Sequence, residues 1–242
     1  YMKAQIFYTY WAAKTTIDDK DLNEKDIQYI MEAQLMGNVR GKRYQFQQLT
    51  NLKTLLLPHS GKMEELYGVS AQDLLAGLEK LEYSLSSAKL DSWKGMFNEF
   101  LKFQKASEGK SSEDIEKLFD EIRESQQNLE LSKKCFGTDL YDIKKVTEWD
   151  DRLVNSLSWD IGECREFIDG GIFSGWIIRD LPVQKKPFIK INGVSYCFDY
   201  YNLFDNIYRI IQKDMKRHDS KYTTRWADIQ PRASETLVEE QF

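Results

Sequence analysis

Hydrophobic and polar positions along this 242-residue chain alternate with two different periods, and the change between them marks its best-defined stretch, residues 187–217. Two short apolar runs, 188–191 and 194–198, flank Asn192-Gly193. That dipeptide accepts positive φ at both central positions, which predicts a two-residue type I′ hairpin. The turn sets the register: Ile191 opposite Val194 and Ile189 opposite Tyr196. With Phe198 these side chains fall on one face, and Lys190, Ser195 and Asp199 fall on the other. The period then changes to that of a helix, with Leu203, Phe204, Ile207, Ile211 and Met215 on one stripe. Asp205 lies toward its N-terminal end and Lys213, Lys216, Arg217 and His218 toward its C-terminal end, as the helix dipole favours. The apolar side of the helix is expected to close the interior formed by Ile189, Ile191 and Val194.

Elsewhere the helical period dominates. Residues 1–12 are aromatic-rich and loosely alternating, which predicts a strand able to join the hairpin. Asn23 is placed to cap a helix carrying Ile27, Ile30, Met31 and Leu35, closed by Gly37. Residues 43–57 form a helix ended by Pro58. Ser70 caps a helix with the stripe Leu74, Leu75, Leu78 and Leu81, and Ser92 starts another through Trp93, Phe97 and Phe100. The turn-forming stretch 107–114 precedes an acidic helix capped by Ser112. Residues 139–145 read as a short strand, Thr147 opens a helix through Trp159, and Gly170, Gly171 and Gly175 mark turns around Phe173 and Trp176. Ser234 caps a last helix with Leu237, Val238 and Phe242, and the pattern breaks off there as in a piece of a longer protein. The fold class is α+β, mostly helical, with a small antiparallel sheet around the hairpin at 187–199. The expected organisation is an N-terminal part (1–60), a helical arm or subdomain (61–135) and an α+β region (136–242).

Composition adds one asymmetry. Net charge is −5, yet residues 183–232 hold ten Lys/Arg against five Asp/Glu and are +5, leaving −10 for the rest. Such a segment is either a solvated helix face or a contact for nucleic acid, the latter through Lys190, Arg209, Lys213, Lys216 and Arg217. Tyr196, Tyr200, Tyr201 and Tyr208 lie near Lys190 and Arg209, where aromatic rings can stack on bases, although Tyr196 shares the hairpin face with Ile189 and reads better as core. Three widely spaced cysteines, Cys135, Cys164 and Cys197, suggest neither a zinc ribbon nor a disulfide framework. No apolar run is long enough for a transmembrane helix, and a cytoplasmic location is the default.

Catalytic signals are sparse. His59 and His218 have no recognisable Ser-His-Asp spacing, and no phosphate loop occurs among the glycines. A metal-dependent nuclease needs an acid followed by D/E-x-K, because the metal activates water and Lys stabilises the developing charge. Asp142-Ile143-Lys144 and Glu108-Gly109-Lys110 fit the second half. A stand-alone nuclease using Asp142 and Lys144, or a self-association domain, are therefore the alternatives to a binding module. No catalytic residue, metal ligand or cofactor is otherwise indicated.

The run GWIIRDLPVQKKPFIKINGVSYCFDYYNLFDNIYRIIQK resembles a signature of large bacterial proteins of unknown function. The similarity extends back through VTEWDDRLVNSLSWDIGE and forward through RWADIQPRASETLVEEQF, covering roughly residues 145–242. Those proteins carry, further C-terminal, a restriction-endonuclease-like region related to NERD-type nucleases, sometimes with a zinc-chelating SEC-C tail. The resemblance implies a non-catalytic N-terminal part of a nucleic-acid-processing protein, with the nuclease-like domain following in cis. It assigns no catalytic residue within this chain.

Overall fold

A computed structural model describes residues 42–165, 182–197 and 199–241. The strand expected at 1–12, the helix at 23–37, the glycines at 170–175 and Phe198 lie outside them. Helix α1 (Lys42–Leu56) runs into a 3-10 turn, Leu57–His59, that contains Pro58. Helix α2 (Ser60–Tyr67) stops at Gly68, whose φ of 67° lets its N–H return to the Glu64 carbonyl. Ser70 caps α3 (Ala71–Tyr83) by accepting from the Asp73 N–H, and Leu74, Leu75, Leu78 and Leu81 are buried as the stripe requires. Gly77 brings α3 against Trp149: a Cβ there would stand 2.1 Å from the indole Nε1.

Ser92 does not start a helix. A π-helical segment, Ser84–Ala88, carries the chain directly from α3 into α4 (Lys89–Ser107). No Gly or Pro interrupts it, and the Ser92 hydroxyl returns to the Ala88 carbonyl at 2.7 Å instead of capping. Ser111, one residue before the expected Ser112, caps α5 (Ser112–Glu124), and Ser125 caps α6 (Gln126–Phe136). Helices α4 to α6, here termed the arm, pack on one another, whereas Met63, Tyr67 and the α3 leucines belong to the main core.

The strand expected over 139–145 is reduced to a single antiparallel bridge from Asp142 to Tyr196. The Asp142 carboxylate captures the Lys144 and Lys145 N–H groups and starts α7 (Ile143–Thr147) instead. The helix expected from Thr147 to Trp159 is also broken. Glu148 takes φ 60° and ends α7, Asp150 caps α8 (Asp151–Ser156), and Trp159 lies in strand β1 (Ser158–Asp160).

After the short α9 (Pro182–Lys185) come β2 (Phe188–Ile191) and β3 (Val194–Cys197), paired antiparallel in the expected register. Asn192 and Gly193 have φ of 52° and 81°. Strand β1 adds parallel to β2, so the small sheet is mixed, in the order β1-β2-β3. Asp199 caps α10 (Tyr200–His218), whose apolar stripe is buried. Helix α11 (Tyr222–Gln241) tolerates Pro231, and Ser234 lies inside it, bonded back to the Gln230 carbonyl at 3.0 Å, rather than capping a new helix.

Both faces of the sheet are covered, which alters one expectation. Phe188 and Cys197 join Trp149, Leu203 and Ile207 in the main core. Ile189, Ile191 and Tyr196 point the other way, into a smaller cluster with Leu140, Tyr141 and Val183. The helix therefore closes on the face opposite Ile189 and Ile191, because the pleat gives Phe188 and Cys197 to that side. Among the described residues no helix is long and apolar enough to cross a membrane.

Candidate nucleic-acid interface

The C-terminal end of α10 places Asp214 underneath a cleft of about 420 Å³. Asp214 is 6% exposed and sits on the buried stripe of α10. Its Oδ2 accepts from Tyr67 Oη of α2 at 2.8 Å and from Ser156 Oγ of α8 at 2.7 Å. One turn on, Arg217 donates to its Oδ1, and His218 Nε2 stands 3.5 Å from Oδ2. Burial, together with the Asp214 carboxylate, holds the Tyr67 phenol well above its ordinary pKa, so it remains a donor.

Four cationic or potentially cationic side chains line this opening: Arg152, Lys186, Arg217 and His218. Asp150 holds Arg152 through two contacts of 3.2 Å, and that guanidinium keeps the Asp150 carboxyl below its usual range. Lys186 lies over the Trp159 ring at 4.3 Å and donates to Glu163 at 2.8 Å. Although burial opposes it, this ammonium holds Glu163 below the usual carboxylate range. Lys190, on β2, reaches Asn155 Oδ1 of the cleft lining at 2.7 Å. Arg152, Lys186 and Arg217 are thus each oriented by a carboxylate, and a guanidinium held by one carboxylate keeps further N–H donors for a second anion.

Of the five cations expected to touch nucleic acid, the structure brings Arg217 to the cleft and Lys190 to its rim. Arg209 and Lys213 lie exposed on α10, and Lys216 is half-buried with its Nζ 5.9 Å from the Trp226 ring centre. Arg152 and Lys186 escaped the sequence reading. Their only signal was charge, and they line the same cleft as Arg217 only through the tertiary fold. Tyr200 and Tyr201 are instead core, 4% and 7% exposed, with Tyr200 bonded to the Leu78 carbonyl, whereas Tyr208 is half-buried against the core.

Asp142 and Lys144 do different work from that of a nuclease pair. Asp142 caps α7, while Lys144 reaches Asp151 at 2.6 and 2.8 Å on the surface. Glu108 and Lys110 sit at the exposed turn between α4 and α5. Among the described residues no group of three His, Cys, Asp or Glu could hold a metal ion. His59 is buried, between Tyr222 and Gln230. Cys135, Cys164 and Cys197 are buried and outside any disulfide, and burial raises the thiols of Cys135 and Cys197, away from nucleophilic thiolates.

Comparison with known proteins matched no family model, no curated protein and no solved structure.

Proposed function

We propose that this chain is a non-catalytic accessory module of a bacterial, cytoplasmic nucleic-acid-processing protein, and that it holds phosphate groups of the backbone in the cleft above Asp214. The observation carrying this reading is the convergence of Arg152, Lys186 and Arg217 from three separate elements on one opening, with Lys190 at its rim. Their carboxylate partners orient them, and the neutral Asn155 and Ser156 in the lining can add hydrogen bonds to phosphate or sugar oxygens. The +5 charge of residues 183–232 on an otherwise acidic chain supplies the field that draws a polyanion to this side. The resemblance of residues 145–242 supports a downstream nuclease-like region as the partner in cis.

The test is fluorescence anisotropy with a labelled 20-nucleotide single strand and the matching duplex at about 50 mM salt, where phosphate contacts dominate. The double variant Arg152→Glu/Lys186→Glu should bind at least about tenfold more weakly than wild type, on any sequence. Equal affinity of the two proteins would remove the cleft from the interface.

A further inference from the structure

Among the described residues, the arm leaves one side of α4 uncovered. Helices α5 and α6 return antiparallel to α4 with a break at Ser125. Phe119 meets Phe103 edge-on at 5.9 Å, a Cβ on Gly95 would stand 2.9 Å from Leu131, and Phe136 meets Trp93 at 5.0 Å. That pairing covers one face. The neighbouring face carries Leu90, Trp93, Phe97 and Phe100, exposed by 60, 45, 61 and 58%. Their spacing of three, four and three residues is that of a seam that packs on another helix. Leu101, Phe119, Leu129 and Phe136 border the seam and are 39 to 52% exposed. Helix α5 buries none of its residues.

Eight large side chains, each of about 200 Å² and about half exposed, present on the order of 800 Å² of apolar surface. A monomer rarely leaves more than about 300–600 Å² in one patch, whereas each side of a standard interface contributes about 800 Å². The charges at the two ends of the arm differ. Its base, where α6 ends beside the start of α4, carries Lys89, Lys94, Lys133 and Lys134 against Asp91. Helix α5, along the outer half, carries six carboxylates against Lys117 and Arg123.

We propose that a second copy of this chain covers this face, α4 packing antiparallel on α4 across a two-fold axis near Phe97. An antiparallel pair sets the lysine-rich base of each arm beside the acidic α5 of the other, whereas a parallel pair would set like charges together. The two-fold closes the assembly at two chains, since each seam is used once. The contact lies on the arm and uses none of the cleft residues, so it stands or falls independently of phosphate binding.

Sedimentation equilibrium of the whole chain tests this. At about 50 μM, in the range where interfaces of this size associate, wild type should sediment at twice its 28.5 kDa monomer mass. Phe97→Asp/Phe100→Asp should be monomeric with unchanged helical circular dichroism, because both positions are exposed, and Phe97→Ser should weaken the dimer without adding charge. Lys133→Glu/Lys134→Glu should raise the dissociation constant about tenfold at low salt and much less at high salt. A wild type monomeric at about 500 μM overturns the proposal, as does a dimer that persists in the double Asp variant. Indifference to the lysine reversals at low salt overturns the antiparallel arrangement.

Discussion

His59 ties the turn after α1 to the last helix, and its protonation should loosen that joint. The ring is 1% exposed and stacks on Trp226, centroids 3.6 Å apart and planes 12° off parallel. Its Nε2 is 3.0 Å from Gln230 Oε1 and its Nδ1 is 3.0 Å from Tyr222 Oη. The Gln230 amide is oriented by its Nε2 donating to the Thr54 carbonyl. Oε1 can only accept, so Nε2 of His59 carries the proton and Nδ1 accepts from the Tyr222 hydroxyl. A second proton on Nδ1 removes that acceptor. Burial lowers the His59 pKa, the Gln230 bond opposes this, and Arg225 adds to the lowering. With the folded value below the unfolded one of about 6.5, the contribution of neutral His59 is complete above that value and is lost as pH falls through the folded pKa.

His59→Phe keeps a ring against Trp226 but strands the Tyr222 hydroxyl and the Gln230 carbonyl oxygen. Each unsatisfied buried group costs about 1–3 kcal/mol, so the variant should be roughly 3 kcal/mol less stable at pH 7.5. For a chain of this length that is a Tm lower by about 6–12 °C. Urea denaturation of both proteins at pH 7.5 and pH 5 provides the assay. Wild type should lose more stability than the variant on acidification, narrowing the gap between them. A gap that stays constant or widens would refute the tautomer and the sign of the shift together.

Two backbone predictions test the packing. Gly→Ala inside a helix ordinarily stabilises by about 1 kcal/mol, but Gly77→Ala should destabilise by about 1–3 kcal/mol, since its methyl would meet the Trp149 indole that bonds the Asp73 carbonyl. Urea melts followed by far-UV circular dichroism read the sign, and a stabilised variant would contradict the close approach. Gly193→Ala has open space for its methyl, yet should cost about 1–2 kcal/mol because φ there is 81°; thermal melts showing no loss would contradict the turn geometry.

What could be read in advance follows from how local each determinant is. Asn192-Gly193 fixes its own turn and the register of eight strand residues, and Ser70 with its leucine stripe fixes α3, so both were legible. Strand β1 was not, because Ser158-Trp159-Asp160 is too short to alternate and its parallel partner lies 30 residues away. The break at Glu148 was hidden for a similar reason: αL geometry at a Glu carries no residue signature, unlike Gly68. The seam of α4 was visible as a helix but not as an exposed one, since exposure depends on where α5 and α6 lie. In the candidate interface, Arg217 and Lys190 could be named from charge near the hairpin and helix. Arg152 and Lys186 could not, as only the tertiary fold brings them to the cleft that Arg217 lines.

The most direct measurement of the central claim is the salt dependence of nucleic-acid binding by the wild-type chain. If Arg152, Lys186, Lys190 and Arg217 each engage a phosphate, log K should fall linearly with log salt, with a slope of about −3 to −4 on duplex DNA. In Arg152→Gln/Lys186→Gln the slope should shrink by about 2. A wild-type slope near zero, or no binding at about 50 mM salt, would contradict the account.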